Sequence, residues 1–447
     1  MRSTALIALG IGLATAPALA AQAPAAPTRQ LLRLSLRDAV VLAADSAAGV
    51  ALARERTIEA EERVRQARGP LLPNVSATAA WLKQSYNIRS FGFAQPTPPG
   101  QDDLIGPFDN VDARARLTQT LFDYSSIVRV RASRSQLAGV AADGAVAMEG
   151  AAHTAVQAYL RAARADARLA ARRADSTLAA ELVTLARAQH DAGVTPAIDV
   201  TRARTQLPAS AGAVIVALTE RGRAGIDLSR ALGLDARTPL ELADSLADAT
   251  VMADVPPDPD SAVARAVAGR PDLLAEIARA GAAQQAASAV SAERLPRLEL
   301  TADYGINGLT LADAIGTGRV GVQVTVPIFD GLRREGRIAE QRALAREAEI
   351  RVSEARRQAG ADARAAVLDT RSAAAQQAVA AEQLRLAEEE VRQARERFAA
   401  GVAGNLEVIA AQVSLINARD GVIDAQFLAA AARAALARAA GVARGIR

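Results

Sequence analysis

The sequence predicts a mainly α-helical protein with a small set of transmembrane β-strands. It predicts two internal repeats, each giving two barrel strands and long coiled-coil helices. Three observations lead to this prediction. Alanine dominates the chain while only 3% of its residues are aromatic, which favours closely packed helices. Short motifs recur about 207 positions apart. Two stretches of strict two-residue alternation interrupt the helical pattern.

The first twenty residues have the pattern of a secretory signal. Arg2 precedes an apolar run that is too short to span a bilayer, and Ala18-Leu19-Ala20 stands directly before Ala21. We therefore expect residues 1–20 to be a signal peptide. The chain contains no cysteine, which excludes a disulfide framework, a thiolate metal site and a lipidated cysteine after the signal.

The charge pattern argues against a nucleic-acid partner. The net charge is +4 and is carried almost wholly by arginine, with Lys83 as the sole lysine. A nucleic-acid surface needs clustered basic residues on one face, whereas these arginines are dispersed among acids. No later segment offers about 20 uncharged apolar residues, so membrane insertion would need strands.

Self-similarity defines the domain organisation. Phe122-Asp123 recurs as Phe329-Asp330, 207 positions later, and the turn at Gly193 recurs at Gly401, 208 positions later. Segments that keep register over about 70 residues should share one fold. We expect a first repeat over residues 21–250, a Pro-rich connection over 251–260 and a second repeat over 261–443.

Each repeat should contain a strand pair, around residues 74–122 and around residues 297–329. In the first pair we expect Tyr86–Asn110, which is rich in Gly, Pro and Asp, to be a long loop. In the second repeat, apolar and polar residues alternate over 297–304 and 319–328. We expect the apolar set to face lipid: Leu298, Leu300, Val320, Val322, Val324 and Val326. Such alternation is more often a soluble sheet with one wet face. The membrane reading is favoured because two isolated hairpins would have no other apolar surface to cover.

Helices should account for the rest of each repeat. We expect helices over Leu36–Arg68 and Pro271–Glu293, and very long ones over Tyr124–His190 and Leu332–Ala400. At 1.5 Å per residue the long helices measure on the order of 100 Å. From Ile338 onward a small or aliphatic residue recurs every seven positions, which indicates supercoiled helices. A soluble coiled coil would show the same repeat but would leave the strand pairs unexplained.

Catalytic and metal-binding interpretations find little support. His153 and His190 lack a second histidine or cysteine at metal spacing, and the glycines at Gly305 and Gly308 indicate a turn rather than a phosphate loop. We expect no enzyme activity, no metal and no cofactor.

Several motifs together resemble the outer-membrane efflux family typified by TolC. They cover nearly the whole chain after the signal and occur in the family's order. They are the Leu34–Ala39 segment, Arg270–Leu273, the Leu-Pro steps at Leu72 and Leu295, and the Gly193 and Gly401 turns followed by Asp199-Val200 and Glu407-Val408.

The resemblance implies a homotrimer whose subunits build a twelve-stranded β-barrel and a periplasmic α-helical barrel. It implies a Gram-negative outer-membrane location in contact with lipid, a periplasmic adaptor and an inner-membrane pump of RND or ABC type. The chain departs from the family at Pro208, which lies inside a helix that is usually uninterrupted.

The resemblance also implies a periplasmic entrance with functional residues. Glu407, assisted by Asp199, would form the pore constriction. A carboxylate in the first turn of a helix equally suits the helix dipole, with Asn405 as the cap, so both roles stay open. The adaptor-docking turns would comprise Gly193, Val194, Thr195, Gly401, Val402, Gly404 and Asn405.

Two function classes follow. The first is a passive exit duct of a tripartite efflux system for drugs or other small molecules, with type I protein secretion as its close variant. The alternative is a periplasmic coiled-coil scaffold without a channel.

Overall fold

The computed structural model describes residues 31–87, 104–248 and 255–446. The expected signal peptide lies outside these residues, as do much of the loop expected between Tyr86 and Asn110 and the start of the connection expected over 251–260.

Within the described residues, the first repeat contains three strands and four α-helices. In chain order they are β1 (Leu32–Leu34), α1 (Leu36–Ser46), α2 (Ala48–Arg68), β2 (Asn74–Asn87), β3 (Leu104–Phe122), α3 (Tyr124–Asp191) and α4 (Ala197–Ala231).

The second repeat has the same element order. Its members are β4 (Leu240–Leu242), α5 (Pro259–Gly269), α6 (Pro271–Ala292), β5 (Arg297–Gly308), β6 (Ile315–Thr325), α7 (Arg333–Ala399) and α8 (Asn405–Ala439). Equivalent helices have matching lengths: α1 and α5 have 11 residues, α4 and α8 have 35, and α3 and α7 have 68 and 67.

The expected single helix over Leu36–Arg68 is wrong, because the chain breaks between α1 and α2. Ala47 adopts an extended conformation, with ψ 138°. The Ser46 hydroxyl lies 2.8 Å from the carbonyl oxygen of Leu232, just beyond the end of α4. This contact joins segments that are far apart in the sequence and fixes the end of α1. Local sequence patterns therefore do not predict where α1 ends.

The four long strands form one antiparallel sheet in the order β2-β3-β5-β6. The strands extend further than the alternation predicts. Tyr86 lies in β2, and β3 already begins at Leu104, so both belong to the sheet and not to the expected loop. Likewise β5 continues to Gly308, and β6 starts at Ile315. The connection between these two strands is therefore short.

At its other end β6 is shorter than expected. The strand ends at Thr325, so Val326, which we expected to be a lipid-facing strand residue, lies outside it. The physical reason is Pro327, which follows Val326 and has no N–H to donate to a strand ladder.

The long helices pack through small residues. In α7 the predicted seven-residue repeat is confirmed by burial at eight of nine positions, and the ninth, Val352, is half-buried. Alanine at most of these positions lets neighbouring backbones approach closely. Buried repeat positions include Ala359, Ala366, Ala373, Ala380, Ala387 and Ala394.

The core lies where the two repeats meet. The parallel pair β1–β4 joins their beginnings. Beside it, the Asp244 carboxylate accepts hydrogen bonds from the Leu36 backbone N–H at 2.9 Å and from the Tyr159 hydroxyl at 3.0 Å. Tyr159 is fully buried in a cluster of residues from α1, α3 and α8. Among the described helices, none is both long and apolar enough to cross a membrane.

Candidate functional site: a two-faced sheet and paired helix tips

One face of the four-stranded sheet, here called the apolar face, carries aliphatic side chains. Leu298 lies opposite Val324, Leu300 lies opposite Val322, and Val320 continues the row opposite Ala302. Directly paired residues of an antiparallel sheet point to the same side. In β2 and β3 the same face is formed by Val75, Ala77, Ala79, Trp81, Val111, Ala113, Ala115 and Leu117.

The apolar face is exposed along β6, while Leu298 and Leu300 in β5 are half-buried. Val320, Val322 and Val324 are 60–77% exposed. An uninterrupted apolar surface of this kind indicates a partner or a membrane.

The opposite face, here called the polar face, carries an ion-pair network across three strands. Arg114 in β3 pairs with Asp112 at 2.6 Å and with Asp303 in β5 at 3.1 Å. Asp303 also pairs with Arg319 in β6 at 3.3 Å. In the sequence, these residues are the polar members of the two-residue alternating pattern. Sequence reasoning missed the pairing because it depends on strand register.

Both edges of the sheet are open. Within the described residues β2 pairs only with β3, and β6 pairs only with β5. Open edges expose unpaired backbone N–H and C=O groups, which are a template for further strands.

At the far end of the molecule, α3–α4 and α7–α8 are joined by two turns of the same geometry. Gly193 and Gly401 both have φ of 72°, a left-handed conformation that favours glycine. In each turn the N–H of the next residue, Val194 or Val402, donates back to a carbonyl in the preceding helix, at 2.9 and 3.0 Å. Two copies of one helix-ending motif therefore form the tip.

The two turns lie against each other. The Gln189 side chain donates to the Ala399 carbonyl oxygen at 3.0 Å. A Cβ placed on Gly401 would stand 3.0 Å from Val194 Cγ1, so the Val194 side chain would have to shift to admit a larger residue. The two turns, one from each repeat, therefore form a single tip.

Glu407 and Asp199 occupy equivalent positions in α8 and α4 but have different environments. Glu407 is about half exposed, and its carboxylate lies 3.1 Å from Arg397 Nε at the end of α7. Asp199 is only 5% exposed and contacts Arg202 at 3.4 Å. Of these two carboxylates, Glu407 is therefore the one that presents its charge to solvent at the tip.

The expectation that Asn405 caps α8 is wrong. The cap residue is Gly404, which makes no side-chain hydrogen bond, and Asn405 is the first residue of the helix. The fully buried Asn405 amide instead donates to the Asp199 carbonyl oxygen at 2.9 Å. It joins the two repeats, which the sequence alone could not show.

Apolar side chains surround the two turns. Val194 and Val402 are exposed, as are Ile198 and Leu406 in the helices that follow. The predicted docking residues Gly193, Val194, Thr195, Gly401, Val402, Gly404 and Asn405 thus lie together at one end of the molecule, although Asn405 is buried.

The surroundings of the two histidines suit a structural role. His153 is buried, and burial together with nearby Arg438 lowers its pKa to about 4. His190 Nδ1 lies 2.9 Å from the Thr195 carbonyl oxygen within its turn. Over the described ranges, no group of three or more His, Cys, Asp or Glu side chains is placed to hold a metal.

Comparison with known sequences gives two matches. Residues 262–442 match the family model described as outer membrane efflux protein. Protein CyaE of Bordetella pertussis is 29% identical over 429 residues, which cover 91% of this chain and 85% of CyaE.

Solved structures share the fold over 91% of this chain. The outer membrane protein VceC from Vibrio cholerae matches with a TM-score of 0.77, 21% identity and 96% of its chain covered. The Campylobacter jejuni CmeC outer membrane channel matches with a TM-score of 0.78, 17% identity and 86% covered. The Neisseria gonorrhoeae MtrE outer membrane channel matches with a TM-score of 0.75, 17% identity and 88% covered.

Long paired helices attached to a four-stranded sheet are therefore a fold that this chain shares with solved outer membrane channels. Residues 262–442 are thus similar to the outer membrane efflux protein family, in agreement with the resemblance of the sequence motifs to the TolC family.

Proposed function

We propose that this protein is the passive exit duct of a tripartite efflux system. In this proposal three copies form a twelve-stranded barrel in the outer membrane and an α-helical tunnel below it. The observation that carries the proposal is the sheet, because it combines an exposed apolar face, a charged polar face and two open edges.

Closure of the sheet requires further copies. Four strands are too few to form a barrel, since small barrels need about eight. Pairing β6 of one copy with β2 of the next would satisfy both open edges. Three copies would place the apolar face against lipid, Leu298, Leu300, Val320, Val322 and Val324 included, and the polar face around a water-filled interior.

The helices support the same assembly. Ile423 in α8 is 8% exposed and packs in the cluster that joins the two repeats. Its equivalent in α4, Ile215, is 66% exposed. If neighbouring copies meet as the two repeats of one copy do, α4 of one subunit covers α7 of the next, and Ile215 becomes buried.

The periplasmic end would contain the constriction. Three Glu407 side chains would converge there, each tethered to Arg397 of its own chain. An acidic ring attracts cations and repels anions. Asp199, being buried, would support this ring from behind, since its backbone carbonyl holds Asn405.

The exposed apolar turns would receive the periplasmic adaptor, through Gly193, Val194, Thr195, Gly401, Val402 and Gly404. A passive duct has no energy source of its own, so an inner-membrane pump of RND or ABC type would drive export. Drugs or other small molecules are the proposed cargo, with type I protein secretion as the variant.

Fractionation and conductance measurements test the proposal. The mature protein should sediment with the outer membrane, run as a trimer in native mass spectrometry, and form ion-conducting channels in planar bilayers. The alternative of a periplasmic coiled-coil scaffold predicts release with the periplasmic fraction and no conductance. That result would refute the exit-duct proposal.

A further inference from the structure

A cavity of about 880 Å³ lies where the sheet meets the long helices. The start of α3, the end of α6 and the start of α7 form its walls, and the paired residues Arg297 and Thr325 close it on the strand side. It is therefore at the neck between the sheet and the helical part, far from the helix tips.

Arginine dominates the walls of this cavity. Five arginines line it, compared with three carboxylates, Asp123, Glu293 and Asp330. The arginines are Arg129, Arg297, Arg333, Arg334 and Arg337.

The carboxylates are already engaged. Glu293 accepts hydrogen bonds from Arg129 at 2.9 Å and from Arg337 at 2.8 and 3.0 Å, which links α3, α6 and α7. Asp330 accepts from the Arg334 backbone N–H at 3.0 Å. Asp123 accepts from Ser125 at the start of α3. Arg129 and Arg337 thus share the single negative charge of Glu293.

The remaining three arginines are less well matched. In the described part of the chain, Arg297 and Arg333 have no ion-pair partner. Arg334 is 9% exposed; its Nη1 donates to the Pro327 carbonyl oxygen at 3.2 Å, but its Nε makes no hydrogen bond. Its nearest carboxylate oxygen, on Glu335, is 3.8 Å away, and Glu335 also pairs with Arg294.

The buried Nε donor of Arg334 is unfavourable without an acceptor, and the exposed Arg297 and Arg333, unpaired within the described residues, line the same cavity, so an anion bound there could satisfy all three. Guanidinium groups present paired N–H donors that match the oxygens of phosphate and carboxylate groups. We propose that the neck cavity binds a phosphate-type oxyanion through Arg297, Arg333 and Arg334.

The strand register gives the side on which the cavity opens. Arg297 and Thr325 alternate with Leu298 and Val324, so they belong to the polar face. In the trimer, an assumption that rests on the proposed function, this face lines the duct. Three basic sites would then surround the neck, at the opposite end of the tunnel from the acidic tip. An anion would meet them from the interior.

Direct binding tests the site without requiring a channel. Calorimetric titration of the detergent-solubilised protein with sodium tripolyphosphate should show saturable binding. Arg297→Gln combined with Arg333→Gln should weaken it by about tenfold or more, because two charge-assisted contacts are lost. Arg342→Gln is the matched control, since Arg342 lines a separate cavity on another side of α6 and α7. It should leave binding unchanged.

Two further measurements distinguish the source of the anion. In planar bilayers, tripolyphosphate should reduce the current of the unmodified channel and leave that of the double variant unaffected, which identifies a free anion in the duct. Tightly held phospholipid detected by ³¹P NMR, present in the unmodified protein and absent from the double variant, identifies a lipid headgroup at the same site.

The proposal is overturned if the double variant binds tripolyphosphate as the unmodified protein does, or if neither protein retains anion or phospholipid. Loss of channel activity alone would instead contradict the proposed duct, because calorimetry and ³¹P NMR do not depend on conduction. Circular dichroism of the double variant verifies that it is folded. Arg334→Lys keeps the buried positive charge but removes the Nε donor. It should weaken binding even though Arg297 and Arg333 are unchanged.

Discussion

Leu160 in α3 and Leu368 in α7 occupy equivalent positions of the two repeats, yet Leu160 is 0% exposed and Leu368 is 62% exposed. Leu160 belongs to the cluster that joins the repeats within one chain. The same position of the second repeat has no such cover in the described part of the chain. The difference marks the surface on which we expect a second copy to pack.

Substitution of these two leucines should separate folding from assembly. Leu160→Ala should lower the free energy of unfolding by about 2–5 kcal/mol, because it leaves a cavity in a closed core. Leu368→Ala should change the stability of the isolated chain by less than about 0.5 kcal/mol but weaken the trimer. Denaturation curves and native mass spectrometry measure the two effects. Equal trimer content in Leu368→Ala and the unmodified protein would contradict the packing.

The two faces of β6 should tolerate charge differently. Val322→Arg places a guanidinium on the apolar face, which costs about 2–4 kcal/mol near the bilayer midplane. It should block outer-membrane assembly, as measured by heat-modifiable trimer on gels. Gln323→Arg is the matched control, since residue 323 lies on the polar face opposite Glu299. If both variants assemble equally well, β6 does not face lipid.

The Glu407–Arg397 pair should control permeation at the tip. Glu407→Gln should raise single-channel conductance and reduce cation preference, because the acidic ring is lost. Arg397→Gln should increase cation preference, since it removes the charge that now lies 3.1 Å from Glu407. Both effects on stability should be small, because exposed ion pairs contribute about 0–1 kcal/mol. Identical conductance and selectivity in all three proteins would leave Glu407 with a structural role alone.

His153 should make the fold sensitive to acid. Its pKa is about 4 in the folded chain, against an ordinary value of 6.5. Between these values the unfolded chain binds more protons, so stability falls as the pH is lowered, by up to about 1.4 kcal/mol per pH unit. Above pH 6.5 this effect is absent. Thermal melting from pH 7 to pH 4 should show a shallower decline in stability for His153→Leu than for the unmodified protein.

Cysteine labelling tests the orientation in the membrane. The chain has no cysteine of its own, so a single introduced thiol is unambiguous. Leu311→Cys, in the exposed connection between β5 and β6, should react with a membrane-impermeant maleimide on intact cells. Val402→Cys, at the exposed tip, should react only after the outer membrane is permeabilised. The opposite labelling pattern would invert the topology. Ser90, in the loop expected over Tyr86–Asn110, is a further position for cysteine labelling, and it lies outside the described residues.

The sequence by itself determined the repeat, the long helices and the two glycine turns. These features depend on local patterns: a seven-residue period along α7, two-residue alternation in β5 and β6, and glycine where φ must be positive. The strand ends were predicted less accurately. Leu104 and Tyr86 pair with residues of a partner strand, and such pairing does not appear in the local sequence pattern.

Only the tertiary structure decided which residues meet. Asn405 is a residue type that often caps helices. Its side-chain amide instead donates to the Asp199 carbonyl oxygen of the other repeat. Asp199 and Glu407 have equivalent sequence positions, and packing of the tip buries the first while leaving the second exposed. The arginines at the neck come from segments separated by up to about 200 residues, so their shared cavity exists only after the strands and helices have assembled.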